Sequence, residues 1–98
     1  MKEKLRELLK EGARVPTSAT DQDMDIIKQA AVACGARIAW EDEHDFRTFS
    51  SFHITDCNEL HGGICKHNRV SVVTPQWETI LALSKALACP INRVVGGI

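Results

Sequence analysis

The sequence predicts an α+β domain with a three-stranded antiparallel sheet and helices packed on one face, in the order α-α-β-β-β-α. Three observations favour this class. Apolar residues recur with helical spacing up to about residue 34, alternate with polar residues in parts of the segment 36–74, and return to helical spacing after Pro75. Consecutive strands with short connections usually pair as an antiparallel meander, which leaves one face in water.

The length and composition predict one domain, residues 1–98, in the cytoplasm. A chain of 98 residues that is 44% hydrophobic can form a compact core. Its formal net charge of −1 gives no overall attraction to nucleic acid or to an anionic membrane. The sequence has no apolar run near the roughly 18 residues that span a bilayer. Its 4 cysteines do not form a dense disulfide framework, so we expect reduced thiols.

Residues 1–12 predict an amphipathic helix, followed by a helix-sheet-helix body over residues 21–98. Gly12 suits the end of the first helix, and Thr20 suits the N-cap of a second helix that runs to about Cys34. Asp residues just after Thr20 favour the helix start electrostatically. The apolar positions of the first helix are Met1, Leu5, Leu8 and Leu9. The predicted inner stripe of the second is Met24, Ile27, Ala30, Ala31 and Cys34.

The middle of the chain predicts three strands, over residues 36–41, 46–54 and 69–74, because the apolar period there is two residues. Alternation assigns the two faces of the sheet. The predicted core face contains Ile38, Trp40, Phe52, Ile54, Val70 and Val72. The predicted open face contains Arg37, Glu41, Arg47, Phe49, Ser51, His53, Arg69, Ser71 and Val73.

The last helix is predicted to begin at Thr74-Pro75, an N-cap and first-turn pair, and to end at Cys89-Pro90 because a residue before proline disfavours the helical conformation. Its apolar face contains Trp77, Ile80, Leu83 or Ser84, and Leu87. The following segment, residues 91–98, is apolar enough to pack back on the domain. Cys34 and Cys89 lie on or near apolar faces, which predicts inert core thiols.

Between the second and third predicted strands, four side chains have the types and the number that a tetrahedral zinc site uses. They are Cys57, His61, Cys65 and His67. Their spacing matches none of the usual zinc motifs, and the Gly62-Gly63 pair is also ordinary in a turn. A solvated loop, a Cys57-Cys65 disulfide and a histidine-activated thiol therefore stay open as alternatives.

Two charged surfaces are candidate partner-binding sites. The predicted open face places Arg37, Arg47 and Arg69 around Phe49. Single-stranded nucleic acid and protein partners both select arginine beside an aromatic ring, and the nearly neutral chain favours protein. Alternatively, these arginines only pair with acids on neighbouring strands.

The second candidate is an acidic tip that would attract a basic protein surface or simply solvate a turn. It consists of Glu41, Asp42, Glu43 and Asp45, with His44.

Two family resemblances bear on function. The predicted order over Asp21–Ala88 is similar to a double-stranded RNA-binding domain, but that family has a lysine cluster where the last helix here begins with PQWE. The stretch TPQWETILALSKALACPINRV resembles the last two helices of phage-repressor-type helix-turn-helix domains, while the preceding segment predicts loop and strand. The matching positions are Pro75, Glu78, Thr79, Leu83, Lys85, Ala86, Leu87 and Pro90.

These observations favour a small non-enzymatic binding protein that regulates or inhibits a macromolecular partner by protein-protein contact. Compact accessory proteins of phages and mobile elements, which act on host machinery such as defence nucleases, are a class of this kind. The alternatives are a zinc-stabilised nucleic-acid-binding module and a cysteine-dependent enzyme. We expect no cofactor unless the Cys/His set binds zinc, and no membrane partner.

Overall fold

The computed structural model describes residues 2–38, 40 and 44–96, with side chains through residue 88. Within these residues the predicted α+β class is confirmed, because three α-helices accompany a three-stranded antiparallel sheet. In chain order the elements are α1 (Lys2–Glu11), β1 (Ala13–Arg14), α2 (Asp21–Ala33), β2 (Ser51–Ile54), β3 (Leu60–His61) and α3 (Pro75–Gly96). Short 3-10 helices, Phe46–Thr48 and Lys66–Asn68, precede β2 and follow β3.

The first two helices begin and end close to where the sequence predicts. α1 ends before Gly12, whose φ of +81° suits a residue without a side chain. An added Cβ there would lie 2.5 Å from the Phe52 carbonyl oxygen, so this glycine also lets the chain approach β2 closely. α2 has a capping box, in which the Thr20 side chain accepts from the Asp23 amide at 3.0 Å and the Asp23 carboxylate accepts from the Thr20 amide at 3.2 Å.

The sheet is centred on β2, with β1 antiparallel to it on one side and β3 antiparallel on the other. Side chains alternate between the two faces along each strand. The pairs that face the helices are Ala13 with Phe52 and Ile54 with Leu60. The pairs that face away are Arg14 with Ser51 and His53 with His61.

Two of the three predicted strands are not strands in the structure, although each contributes one bridge at an outer edge of the sheet. Arg37, from the predicted strand 36–41, forms a parallel bridge with Glu59. Val70, from the predicted strand 69–74, forms a parallel bridge with Pro16. That pairing stops after one residue because the chain beyond Thr17 turns into the N-cap of α2. β1 instead lies in residues 13–20, between the two predicted helices, where Pro16, Ser18 and Thr20 predict a connector without a strand.

The core consists of the inner sheet face and the apolar stripes of the helices. Its buried residues are Leu5, Leu9, Val15, Met24, Ile27, Ala30, Ala31, Ala36, Trp40, Phe46, Phe49, Phe52, Ile54, Leu60, Trp77 and Ile80. The predicted stripe of α2 is confirmed, with Cys34 half-buried beside it. On α3, the sequence leaves open whether Leu83 or Ser84 lies on the inner face. The structure buries Ser84 fully, and its hydroxyl donates to the Ile80 carbonyl at 2.7 Å.

The predicted core face is correct for Trp40, Phe52 and Ile54, which are buried, and wrong for Val72, which is 70% exposed. The predicted exposure of Phe49 is also wrong, because its ring is 1% exposed. The physical reason is a 3-10 helix before β2. It changes the local period from two residues to three, so that phenylalanines spaced three apart all enter the core.

α3 begins at Pro75, as predicted, and extends to Gly96 instead of ending at Cys89-Pro90. A residue before proline disfavours the helical region without forbidding it. The continuous helix differs from the two helices that the helix-turn-helix resemblance implies. The predicted burial of Cys89 and the predicted packing of residues 91–98 lie outside the described side chains.

Candidate functional site

The side of the sheet that faces away from the helices is the candidate functional site, and we call it the open face. It presents Arg14 from β1, Ser51 and His53 from β2, and His61 from β3. Arg14, His53 and His61 are exposed, and Ser51 is half-buried. The prediction that Ser51 and His53 lie on an open sheet face is therefore confirmed, while Arg14 and His61 come from strands that the sequence does not predict.

The β2–β3 connection is a tight hairpin at one end of the open face. Thr55 donates its amide to the Glu59 carbonyl at 2.9 Å, and the Thr55 hydroxyl accepts from the Glu59 amide at 3.1 Å. Asn58 has a φ of 63°, a conformation that asparagine tolerates better than most residues. Cys57 lies exposed in this turn, and its carbonyl accepts from Arg37 Nη2 at 3.3 Å.

After β3 the chain continues antiparallel to β2, towards Ser50, as a mostly exposed segment, residues 62–68, which we call the strap. Gly62 lies so close to β2 that an added Cβ would overlap the Ser51 carbonyl oxygen. The Gly63 carbonyl accepts from the Ser50 amide at 2.8 Å. At the other end of the strap, the Asn68 carbonyl accepts from Arg14 Nη2 at 3.2 Å. The strap is therefore held against the Arg14 side of the open face.

The Arg14 end of the open face has a cationic surface. Residues 60–77 contain no Asp or Glu, while the strap carries Lys66 and His67, both exposed. Among the residues that the structure describes, neither Arg14 nor Lys66 forms an ion pair with a carboxylate. Glu11 borders the shallow depression beside Arg14. Exposed Ile64, at 43%, adds an apolar side chain to this cationic region.

The other end of the open face is electrostatically balanced. The Glu59 carboxylate lies 3.8 Å from Arg37 Nη2 and 3.4 Å from His61 Nε2. An ionised carboxylate is only an acceptor, so the Nε2 atom of His61 is the donor in this contact. The His61 ring stacks against the His53 ring from the neighbouring strand, with centroids 6.2 Å apart and planes inclined by 29°.

The predicted cluster of three arginines around Phe49 is not assembled. Arg47 is exposed but forms a two-bond ion pair with Asp25, at 3.1 and 2.8 Å, and this hydrogen bonding lowers the pKa of the Asp25 carboxyl. Arg37 pairs with Glu59. Arg37 therefore matches the alternative in which the arginines pair with acids on neighbouring strands. Arg47 pairs with an acid too, but that acid lies on α2 and not on a neighbouring strand.

Arg69 is the third predicted member, and its placement on an exposed face is wrong. The residue is 8% exposed, and its side chain donates to two backbone carbonyls, from Nε to Phe49 at 2.9 Å and from Nη2 to Arg47 at 2.6 Å. Burial lowers the pKa of the guanidinium. Arg69 thus fastens the chain after the strap to the segment before β2, which is a structural role.

Of the predicted acidic tip, Glu41, Asp42 and Glu43 lie outside the described residues. Asp45 is exposed, and its carboxylate accepts from the Arg47 amide at 3.0 Å at the start of the 3-10 helix Phe46–Thr48. Its position is explained by helix capping, because a side-chain oxygen there satisfies an otherwise unpaired amide. Binding of a basic protein by this tip stays a prediction.

The predicted zinc ligands are not brought together. Cys57 lies in the hairpin turn, His61 on β3, Cys65 just before the 3-10 helix Lys66–Asn68, and His67 within it. Within the described part of the chain, no group of three or more His, Cys, Asp or Glu side chains is placed to hold a metal ion. Cys57 and Cys65 are both free thiols, so the alternative Cys57-Cys65 disulfide is not formed.

The remaining described thiol, Cys34, is half-buried at the end of α2 and donates weakly to the Lys2 carbonyl at 3.7 Å. Burial raises its pKa, which fits the predicted inert thiol. Across the side chains that the structure describes, Cys57 and Cys65 have no hydrogen bond to a histidine. The geometry that a histidine-activated thiol requires is therefore not formed by either of them.

Sequence reasoning missed Arg14, which the open face places beside Ser51. The sequence contains a weak indication of a strand here, because the charged Arg14 stands between the apolar residues Ala13 and Val15, and Gly12 and Pro16 flank them. A two-residue strand is too short for such alternation to stand out from a connector.

Comparison with known proteins gives no family for this fold and surface: the chain matches no family model, and neither a curated protein nor a solved structure is significantly similar to it. Over the described residues, none of the helices combines the length and the hydropathy needed to cross a membrane. The open face and the strap are therefore the features from which we infer a function.

Proposed function

We propose that this chain is a small non-enzymatic binding protein that regulates or inhibits a macromolecular partner by holding an acidic protein segment on the Arg14 end of its open face. The single observation that carries the proposal is the exposed cationic surface formed by Arg14 and the strap. Opposite charges across an interface speed association and favour the correct partner over others. An acidic protein segment is the complement of this surface.

The aromatic residues favour protein over single-stranded nucleic acid. The chain has two Trp, three Phe and no Tyr, and all five rings are buried. They are Trp40, Phe46, Phe49, Phe52 and Trp77. Proteins that bind single strands without sequence preference usually stack bases on exposed aromatic rings as well as contacting phosphates. A cationic surface without such rings is better suited to carboxylates.

The surface is also held in place before binding. β2 is paired with a strand on both sides. The bridge of Arg37 to Glu59 lies at the outer edge beside β3, and the bridge of Val70 to Pro16 lies at the outer edge just after β1. Arg69 fastens the chain just after the strap through two backbone carbonyls. A surface that is ordered in the free protein loses less conformational entropy on association. Exposed Ile64 would then bury apolar area beside the charged contacts.

The test compares charge reversal on this surface with charge reversal elsewhere. Proteins captured from a lysate of the source organism by the wild-type chain are identified, and the affinity of the main partner is measured for each variant. We expect the double variant Arg14→Glu/Lys66→Glu to weaken binding by at least about tenfold, equivalent to about 1.4 kcal/mol. The matched control is Lys4→Glu/Lys10→Glu, which reverses two exposed charges on α1 and should bind as the wild type does.

Two results would oppose the proposal. Equal affinities for Arg14→Glu/Lys66→Glu and for Lys4→Glu/Lys10→Glu would show that the cationic surface is not the binding site. Capture that disappears after nuclease treatment, with a steep salt dependence, would show that the ligand is nucleic acid. Circular dichroism of each variant separates loss of binding from loss of the fold.

A further inference from the structure

We propose that His53 and His61 together form a binding site for a divalent first-row transition metal of the Cu²⁺, Ni²⁺ and Zn²⁺ group. The site differs from the Cys/His set that the sequence suggests, because it uses His53 and none of the thiols. It is independent of the proposed protein partner. Its basis is the pairing of two exposed imidazoles on adjacent strands.

The register fixes this pairing. His53 on β2 is directly opposite His61 on β3, and directly opposed residues of antiparallel strands have Cβ atoms about 4.5–5.5 Å apart. Both side chains are exposed on the same face, and their ring centroids are 6.2 Å apart. The backbone of the hairpin, rather than a flexible loop, therefore sets the separation of the two imidazoles.

The separation is close to that of a chelate. A metal-nitrogen bond to imidazole is about 2.0–2.1 Å long, so two rings on one tetrahedral ion have centroids roughly 5 Å apart. The rings now stack with their planes inclined by 29°, so metal binding requires an approach of about 1 Å and a turn that brings one nitrogen of each ring onto the ion. Rotation about the side-chain torsions of two exposed histidines provides both. Imidazole nitrogen is a suitable ligand for copper, nickel and zinc and a poor one for magnesium or calcium.

Glu59 prepares His61 for this role. The Glu59 Oε1 atom lies 3.4 Å from Nε2 of His61. Since a carboxylate only accepts, a hydrogen bond at this contact places the proton of the neutral ring on Nε2 and its lone pair on Nδ1. A carboxylate that holds the non-ligating nitrogen of a metal-binding histidine orients the ring and increases its basicity. We therefore assign Glu59 a positioning role and Nδ1 of His61 the ligating role. Water completes the coordination of an ion held by two protein ligands.

The test is calorimetric titration of Ni²⁺ into untagged protein that carries Cys57→Ser and Cys65→Ser, which remove exposed thiols as competing ligands. We expect one Ni²⁺ per chain. His53→Asn and His61→Asn should each weaken binding more than about tenfold, because either change converts a chelate into a single-ligand site. His67→Asn is the matched control, since His67 is an exposed histidine of the strap outside the pair. It should bind as the parent does.

The positioning role has its own readout. Glu59→Gln can still contact His61 but no longer requires the proton on Nε2, so it should weaken Ni²⁺ binding less than His61→Asn does. It should also change the histidine tautomer seen by NMR. Unchanged affinity in His53→Asn, or loss of binding in His67→Asn, would overturn the site. So would the absence of measurable Ni²⁺ binding by a parent protein whose circular dichroism shows it folded.

Discussion

The contact between the strap and β2 predicts opposite behaviour for two adjacent glycines. At Gly62, an added Cβ would overlap the Ser51 carbonyl oxygen and lie 2.8 Å from Phe49 Cδ2 and 2.9 Å from Phe52 Cα. Two of these three atoms belong to the backbone and cannot rotate away. At Gly63, the nearest atoms to an added Cβ are the Ser50 and Ser51 hydroxyl oxygens, both at 3.2 Å. These side chains hydrogen-bond the Gly63 backbone, but they need to move by only a few tenths of an ångström to relieve the contact.

The expected loss for Gly62→Ala follows from these contacts. Overpacking costs about 1–3 kcal/mol. Movement of the strap by roughly 1 Å would break the 2.8 Å hydrogen bond from the Ser50 amide to the Gly63 carbonyl, which contributes about 0.5–1.5 kcal/mol. Gly62→Ala should therefore lower the free energy of unfolding by about 2–4 kcal/mol, or the melting temperature by roughly 8–30 °C. Gly63→Ala should change the free energy of unfolding by less than about 1 kcal/mol.

Chemical denaturation of the two variants, followed by tryptophan fluorescence, measures both free energies under the same conditions. Similar stabilities for Gly62→Ala and Gly63→Ala would show that the strap does not pack on β2 as described. The proposed cationic surface would then lose the contact that holds the strap beside Arg14.

Three further predictions concern single residues. Trp40→Ala should lower the free energy of unfolding by about 3–5 kcal/mol, because Trp40 is 8% exposed and its indole N–H donates to a backbone carbonyl. A negligible loss on denaturation would show that the sheet faces are assigned backwards. Asp25→Asn should destabilise by less than about 1 kcal/mol at pH 7, since the pair with Arg47 is exposed. The folded-state pKa of Asp25 lies below its unfolded value, so this stabilisation declines as the pH falls below about 4. A stability difference between the variant and the wild type that grows from pH 7 to pH 3 would contradict the assignment. Iodoacetamide at pH 8 should label Cys34, whose pKa is raised by burial, more slowly than exposed Cys57. Mass spectrometry measures both labelling rates. Unusually fast labelling of Cys57 near neutral pH would favour the cysteine-dependent enzyme.

The helices could be predicted from sequence because each has a long periodic pattern and local signals at its ends. Thr20 and Asp23 form the expected cap, and Gly12 ends α1 with a positive φ. These signals act within a few residues, so they do not depend on the rest of the fold. The start of α3 at Pro75 follows the same rule.

The strands could not be placed in the same way, because their lengths are only two to four residues. Val72 has high β propensity but is 70% exposed, since strand formation at that edge also needs a partner with free backbone groups. Phe46, Phe49 and Phe52 carried a usable signal, because a spacing of three residues favours burial of all three when a 3-10 turn precedes a strand. Reading that segment as one strand placed Phe49 on the wrong face.

Only part of the candidate site could be predicted from sequence, because the rest depends on pairing between distant segments. His53 and Ser51 alternate correctly within β2, so their exposure could be predicted from residues 51–54 alone. Arg14 joins them through pairing between distant segments, and no local pattern specifies that register. Arg69 was misplaced because its hydrogen bonds to the carbonyls of Phe49 and Arg47 depend on the path of the chain after the strap.

Binding of an acidic protein segment at the Arg14 end of the open face can be mapped by amide chemical shifts in NMR, with the captured partner or its acidic segment titrated into labelled protein. We expect the largest shifts at Arg14, Ser51, Gly63 and Lys66, on the open face and the strap. We expect no change on the exposed side of α1, represented by Lys4. Shifts concentrated on the helices, with the open face unchanged, would show that the partner binds elsewhere.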